Sequence, residues 1–255
     1  MFRIDFLGSP GTGKSFIIDE VLKNPGGQKF VSRNKGLNLV AQLNAKRYSK
    51  IYQLAAKFLK LFPDQEISNE IANRINAKRD TEFFNTYPLI NEWLTERMHE
   101  SLSSERNTLN KFYYISGLFR QIIDGVNLSL YPDDSIAVLM DESIAQHSPF
   151  IKKDRSIVKH VDSDLIVHCY CEPAQLRANI LKREEEKIRS FVPEERKTDA
   201  FLKESMDYYA DKAAYFEQLG INTVHINTQD DISVNINKII KAIPNPSSEA
   251  VLVGK

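Results

Sequence analysis

The chain has 255 residues, 42% of them hydrophobic, and its 34 Lys and Arg are balanced by 34 Asp and Glu. That length and apolar content suit one large α/β domain or a core domain with an insertion, and the even charge excludes a global field for nucleic acid or an anionic membrane surface. No charged-then-apolar leader precedes the first strand and no stretch approaches the roughly 20 apolar residues of a membrane span, so the expected setting is cytoplasmic, with neither membrane nor nucleic acid as partner.

Phe2-Arg3-Ile4-Asp5-Phe6-Leu7 has strand character, and Gly8-Ser9-Pro10-Gly11-Thr12-Gly13-Lys14-Ser15 follows it directly as a complete G-x-x-x-x-G-K-[ST] string. Residues 16–22, beginning at Phe16, carry helix-compatible apolar positions, so the order strand, glycine loop, helix is that of a P-loop. Glycines let the backbone curl until successive N–H groups converge on phosphate, and the helix adds the positive end of its dipole. The expected phosphate-holding set is Gly8, Pro10, Gly11, Thr12, Gly13, Lys14 and Ser15, with Phe16 next in the chain. Lys14 is expected on the β- and γ-phosphates of ATP and the Ser15 hydroxyl on Mg²⁺.

Asn24-Pro25-Gly26-Gly27 breaks the helix, and residues 28–32 fit a short second strand. From about residue 36 to about 130 the pattern is helical nearly throughout, interrupted near Phe62-Pro63-Asp64 and Tyr87-Pro88, which predicts a long helical insertion. Its Arg33, Lys35, Lys46, Arg47, Arg97, Arg106 and Arg120, with the rings of Trp93, Phe112, Tyr113 and Tyr114, would suit an anionic acceptor, although an amphipathic bundle with exposed charges accounts for each singly. Residues 135–140 are an apolar run suited to a central parallel strand, and it ends on Asp141-Glu142.

Asp141 stands where a Walker-B-type carboxylate orients Mg²⁺ beside Ser15, and Glu142 where a carboxylate accepts a proton from an attacking hydroxyl or aligns a water. The competing account is an acidic pair capping a helix that starts near Ser143, on which Gln146 and His147 would be surface residues. Residues 165–170 form a further strand and lead into a charged helix from about Pro173 to Arg189. After Phe191-Val192-Pro193 a second helix runs from about Glu194 to Leu219, stopped by Gly220. Arg177, Arg183, Lys187, Arg189 and Arg196 cluster between that strand and the next, and the segment of about 183–198 reads as a lid; a solvated, salt-bridged helix face is the plainer account.

A last strand at 221–226, the polar loop Asn227-Thr228-Gln229-Asp230 and a last helix at 232–243 complete a domain of residues 1–243, and 244–255 reads as a tail. Cys169 and Cys171, two apart in an apolar strand, read as buried thiols and not as a disulfide or metal site. The alternation of strands and helices describes a doubly wound parallel α/β sheet with helices on both faces, whose ligands bind beyond the carboxyl ends of the strands.

On these residues the chain resembles the P-loop kinases of the nucleoside and nucleoside-monophosphate kinase type: an early P-loop at residue 8, an acidic turn at Asp141-Glu142, and Glu172-Pro173-Ala174-Gln175-Leu176-Arg177 opening an arginine-bearing helix. The resemblance implies an ATP- and Mg²⁺-dependent phosphotransferase acting on a small-molecule acceptor: a nucleoside, a nucleotide or a sugar. It places Lys14 and Ser15 on phosphate and Mg²⁺, Asp141 or Glu142 near the acceptor, and Arg183 and Arg189 in the lid. Neither the Glu-Arg-Ser nor the Asp-Arg-Tyr triplet of those kinases is present; Asp141-Glu142-Ser143 stands there instead. The rival is a P-loop ATPase of ABC or AAA type working on a protein partner, supported by the apolar run that ends on Asp-Glu at 136–142 and, faintly, by Ile115-Ser116-Gly117-Leu118-Phe119-Arg120-Gln121, and opposed by the absence of a β-rich segment before the P-loop and by Leu118 where the signature has its second glycine. A GTPase is disfavoured, because Asn34-Lys35-Gly36-Leu37 lacks the Asp of its base-reading motif. A nucleotide-binding scaffold without turnover is the third class, opposed by the intact Lys14, Ser15 and Asp141.

Overall fold

The computed structural model describes residues 1–23, 29–47, 50–61, 66–86, 92, 95–96, 98–99, 102–103, 108–129, 131–141, 145, 163–186 and 197–244. Its strands are β1 (Phe2–Leu7), β2 (Lys29–Ser32), β3 (Ile136–Met140), β4 (Leu165–Tyr170) and β5 (Asn222–Asn227). The helices are α1 (Lys14–Lys23), α2 (Arg33–Ala45), α3 (Lys50–Leu61), α4 (Glu66–Thr86), α5 (Thr108–Ser129), α6 (Pro173–Glu185), α7 (Asp199–Gln218) and α8 (Ile232–Ala242). The strands form one sheet in the order β2-β3-β1-β4-β5, so the chain has the doubly wound α/β fold that its alternating pattern predicts.

β1 pairs in parallel with β4, Ile4 opposite Leu165 and Leu7 opposite His168, and β4 pairs in parallel with β5, Leu165 opposite Asn222 and Tyr170 opposite Asn227. All five residues of β3 are buried, as are five of six in both β1 and β4, the burial expected where helices cover both faces. From β1 the chain order runs to β3 on one side and β4 on the other, which makes the C-terminal end of β1 the switch point where such sheets place their ligands.

The chain divides into two compact units. The first comprises Met1–Phe2, Val31–Val138 and Phe150–Asp162. In it α2 starts at Arg33, ahead of the expected start near 36, because the Ser32 hydroxyl accepts from the Lys35 N–H and caps the helix. Ala41, Ala45, Leu59, Ala72 and Ile75 make its small-residue core, with Tyr52 and Ile71 packed around it. Small side chains let α2, α3 and α4 approach closely, and a buried amide clip fixes the approach: Asn44 Nδ2 donates to Asn76 Oδ1 at 3.1 Å, and Asn76 Nδ2 donates to the Leu37 carbonyl at 3.3 Å.

Arg33 also forms an ion pair with Asp124 of α5, whose side chain is only 5% exposed. This binds one of the cations offered as an acceptor contact into the packing of the helical unit. Asp124→Ala is expected to destabilise the fold by about 3 kcal/mol, because it removes the opposite charge beside a partly buried guanidinium. Urea unfolding of the two proteins checks this, and an unchanged midpoint would show the pair to be solvent-screened.

The second unit comprises Arg3–Phe30, Leu139–Pro149 and Ser163–Lys255. α6 ends at Glu185, short of the expected 189, where Glu186 closes the helix with its N–H on the Lys182 and Glu184 carbonyls. α7 begins at Asp199, later than the expected 194, because the Thr198 hydroxyl accepts from the Phe201 N–H and sets the first turn. It stops as its glycine requires: Gly220 has φ +79°, its N–H donates to the Glu217 carbonyl at 2.9 Å and that of Ile221 to the Phe216 carbonyl at 3.0 Å. Leu7, Ile166, Ala213 and Phe216 form one core of this unit, and Cys171, Leu176 and Leu202 another.

His168 of β4 and His225 of β5 stand in register, Nδ1 to Nδ1 at 3.0 Å, and a Glu217 carboxylate oxygen lies 2.8 Å from His225 Nε2. With Glu217 holding the proton on His225 Nε2, the neutral arrangement has His168 Nδ1 donating to His225 Nδ1. Burial and the neighbouring His225 push the His168 pKa down from 6.5 to about 4. The unfolded chain therefore binds the extra proton first, and stability that is complete above pH 6.5 is lost as the pH falls toward 4. His168→Gln is expected to flatten the fall in unfolding free energy between those pH values by on the order of 2–3 kcal/mol. Denaturant titrations at pH 7, 5.5 and 4.5 check this, and parallel slopes for the two proteins would refute it.

Candidate functional site

β1 ends at Leu7 and α1 begins at Lys14, so the six residues between them make the whole turn from strand to helix. Three of its glycines have positive φ: Gly8 at +149°, Gly11 at +100° and Gly13 at +93°. Gly8 also lies so close to β4 that a Cβ there would stand 2.3 Å from the Cys169 carbonyl oxygen, a contact no side chain tolerates. Within the loop, the Ser9 carbonyl accepts from the Thr12 N–H at 3.2 Å and from Thr12 Oγ1 at 2.8 Å. α1 then offers its N-terminal N–H groups, which no carbonyl within the helix can take. The loop is thus a tight glycine turn that runs directly into the start of a helix.

The Lys14 side chain turns back over the loop: its ammonium donates to the Gly8 carbonyl at 2.7 Å and to the Ser9 carbonyl at 3.1 Å. Lys14 is 7% exposed, and its charge sits inside the curl of the loop. Ser15 is exposed, and its hydroxyl donates to Asp141 Oδ2 at 2.8 Å. Residues 126 apart in sequence therefore meet at the expected place, because β3 delivers Asp141 at its C-terminal end. Hard oxygen donors, a hydroxyl and a carboxylate already aligned on each other, fit the preference of Mg²⁺ for oxygen ligands with most positions left to phosphate and water. Phe16, next in the chain, is 58% exposed and carries no hydroxyl.

Glu142 and Arg189 lie outside the described residues, as do Gln146, His147, Lys187 and Arg196. Arg183 lies half-buried on α6. Arg177 points to the α7 side, 3.7 Å from Asp199, in an exposed pair. At the base of the segment expected to be a lid, the Lys197 ammonium lies 2.7 Å from Glu184, with both side chains largely buried. Cys169 and Cys171 are buried free thiols; burial pushes Cys169 up to about 12 despite the nearby Lys14 charge, and burial likewise raises Cys171.

Several contacts of the loop were not legible from the motif. Asn179 of α6 donates from Nδ2 to the Gly11 carbonyl at 2.9 Å, and the Ser205 hydroxyl of α7 lies 3.0 Å from that of Ser9. Beside Gly13 stands Thr228, whose Cβ would be 3.7 Å from a Cβ on that glycine. The Thr228 N–H donates to the Tyr170 carbonyl at 2.9 Å and the Gln229 side-chain oxygen accepts from the Glu172 N–H at 2.9 Å, so the polar loop after β5 is knitted to the turn after β4. Their only sequence signal was position: both loops follow strands of a parallel sheet and so emerge at its ligand-binding rim.

Among the described residues no group of three or more His, Cys, Asp and Glu is placed to hold a metal, and no helix is long and apolar enough to cross a membrane. No protein-family model matches the chain, and no curated protein does. Among solved structures the chain is similar to deoxyadenosine kinase from M. mycoides with bound dCTP, at a TM-score of 0.35 and 12% identity, covering 94% of this chain and 97% of that one. The same kinase with bound dATP aligns at a TM-score of 0.34 and 13% identity, over 94% of this chain and 98% of that one.

Proposed function

We propose that this chain is an ATP- and Mg²⁺-dependent phosphotransferase whose acceptor is a small molecule: a nucleoside, a nucleotide or a sugar. The observation that carries the reading is the 2.8 Å hydrogen bond from the Ser15 hydroxyl to Asp141 at the mouth of a glycine loop that also holds Lys14. A phosphate loop alone binds phosphate; a hydroxyl and a carboxylate aligned beside it add the means to place a divalent cation on that phosphate. Ser15 and Asp141 would hold Mg²⁺ there, and the ion would supply positive charge against the negative charge that develops during transfer.

The protein's own groups do the rest. The loop N–H groups bind and orient the phosphates, Lys14 leaves the Gly8 and Ser9 carbonyls for the outer phosphates, and Asp141 or Glu142 takes the proton of the acceptor hydroxyl. Arg183 and Arg189 supply positive charge from the lid as phosphate moves. In this reading the domain extends over residues 1–243 and carries a helical insertion at 36–130. Soluble substrates and the expected cytoplasmic setting go together in this reading.

The test is turnover by purified protein with Mg²⁺ and ATP, alone and with pooled nucleosides, nucleotides and sugars, with Lys14→Ala as the blank. Phosphate moving to a pool component is the expected result, and fractionation then identifies the acceptor. Acceptor-independent release of inorganic phosphate would replace the kinase reading by the ATPase one.

A further inference from the structure

The P-loop is seated on a specific face of α6. A Cβ placed on Gly11 would stand 2.9 Å from Leu176 Cδ1 and 3.2 Å from Ile180 Cγ1, so these two side chains fill the space that the glycine leaves. On the same face Asn179 donates to the Gly11 carbonyl at 2.9 Å, and its own side-chain oxygen accepts from Gln175 Nε2 at 2.9 Å. Gln175 and Asn179 are one helical turn apart, the spacing at which side chains meet, and the bond from Gln175 turns the Asn179 amide so that its NH₂ faces the loop. From α7, the Ser205 hydroxyl lies 3.0 Å from the Ser9 hydroxyl. Leu176 and Leu202 pack together in one core, which holds α6 and α7 as a pair behind the loop.

These contacts matter because of the loop's own economy of bonds. Gly8, Gly11 and Gly13 all have positive φ, and the bonds within the turn converge on Ser9, leaving the Gly11 carbonyl to a partner from outside. Free glycine-rich segments lose much conformational entropy when ordered, so a loop held in shape beforehand binds phosphate more tightly than one that must be ordered by it.

We infer that Asn179 and Ser205 are positioning residues that hold the phosphate loop in its binding shape from behind, so that nucleotide affinity is set in part by the α6–α7 pair. The inference rests on the nucleotide-binding reading of the loop. It requires of the two side chains no contact with nucleotide.

The test is calorimetric titration of the full chain with Mg²⁺-ADP, together with the ATP dependence of turnover. Asn179→Ala and Ser205→Ala are each expected to raise the dissociation constant about tenfold, the size of one well-placed hydrogen bond. KM for ATP should rise in step while kcat stays within about twofold, since bonds that shape the empty loop act on binding before the chemical step. Ser205→Thr retains the hydroxyl and should restore binding to near wild type. Gln175→Ala, a change at an exposed site, should give a smaller loss in the same direction and guards against failure of the Asn179 variant to fold.

Wild-type binding with alanine variants within twofold of it would overturn this inference and leave the nucleotide reading standing. A loss that tracks a fall in thermal stability without nucleotide, and that Ser205→Thr does not restore, would also overturn it. No binding by the wild type would overturn both.

Discussion

Asp141→Asn is expected to abolish Mg²⁺-dependent turnover while leaving the fold intact. Asparagine keeps the size of the side chain and an oxygen that still accepts from the Ser15 hydroxyl, now 2.8 Å from Asp141 Oδ2, so the local geometry survives. What is lost is the negative charge, and a hard dication held largely by phosphate and water depends on that charge for its place. A loss of at least about 10²-fold in turnover is expected, on the scale of removing one electrostatic stabiliser of a transition state. Thermal unfolding should move little, because Asp141 lies half-exposed at a strand end and not in the apolar core. Initial rates across a Mg²⁺ titration, set beside a melting curve, check both halves of the expectation. Wild-type rates in this variant would sink the assignment of Asp141.

Lys14→Ala should cost at least about tenfold in nucleotide affinity or turnover, the loss expected from a charge-assisted hydrogen bond. The structure sharpens the reason. The Lys14 ammonium donates to the Gly8 and Ser9 carbonyls, so alanine removes the two bonds that brace the loop and, with them, the charge proposed to meet phosphate. Lys14→Arg should fail as well, since a planar fork cannot occupy the place of a compact ammonium inside the curl. Binding and turnover are measured for both variants. If neither changes, the glycine loop is not the phosphate site.

Most of the second unit was legible in the sequence because local signals decide it. The edges of β4 fall at Leu165 and Tyr170 where the apolar run begins and ends, and the stop of α7 falls at its glycine, for reasons that need only neighbouring residues. Helix starts were less legible. α2 and α7 begin where Ser32 and Thr198 cap them, and a cap competes with the periodic pattern on either side for control of the boundary. Arg33 pairs with Asp124, 91 residues away, a contact that no local pattern reports.

The sequence by itself determined the glycine loop between β1 and α1 and the α/β alternation. Both are written in short strings: glycines that permit positive φ, a lysine and a serine at fixed offsets, and apolar runs of strand length. Only the tertiary structure decided which residues meet that loop. Asp141 reaches Ser15 because β3 lies beside β1 in the sheet, and Asn179 and Ser205 reach Gly11 and Ser9 because α6 and α7 pack behind the turn. A hydrogen bond needs its two ends within about 3 Å, and for residues more than a hundred positions apart that distance is set by how sheet and helices pack, which only the folded chain specifies.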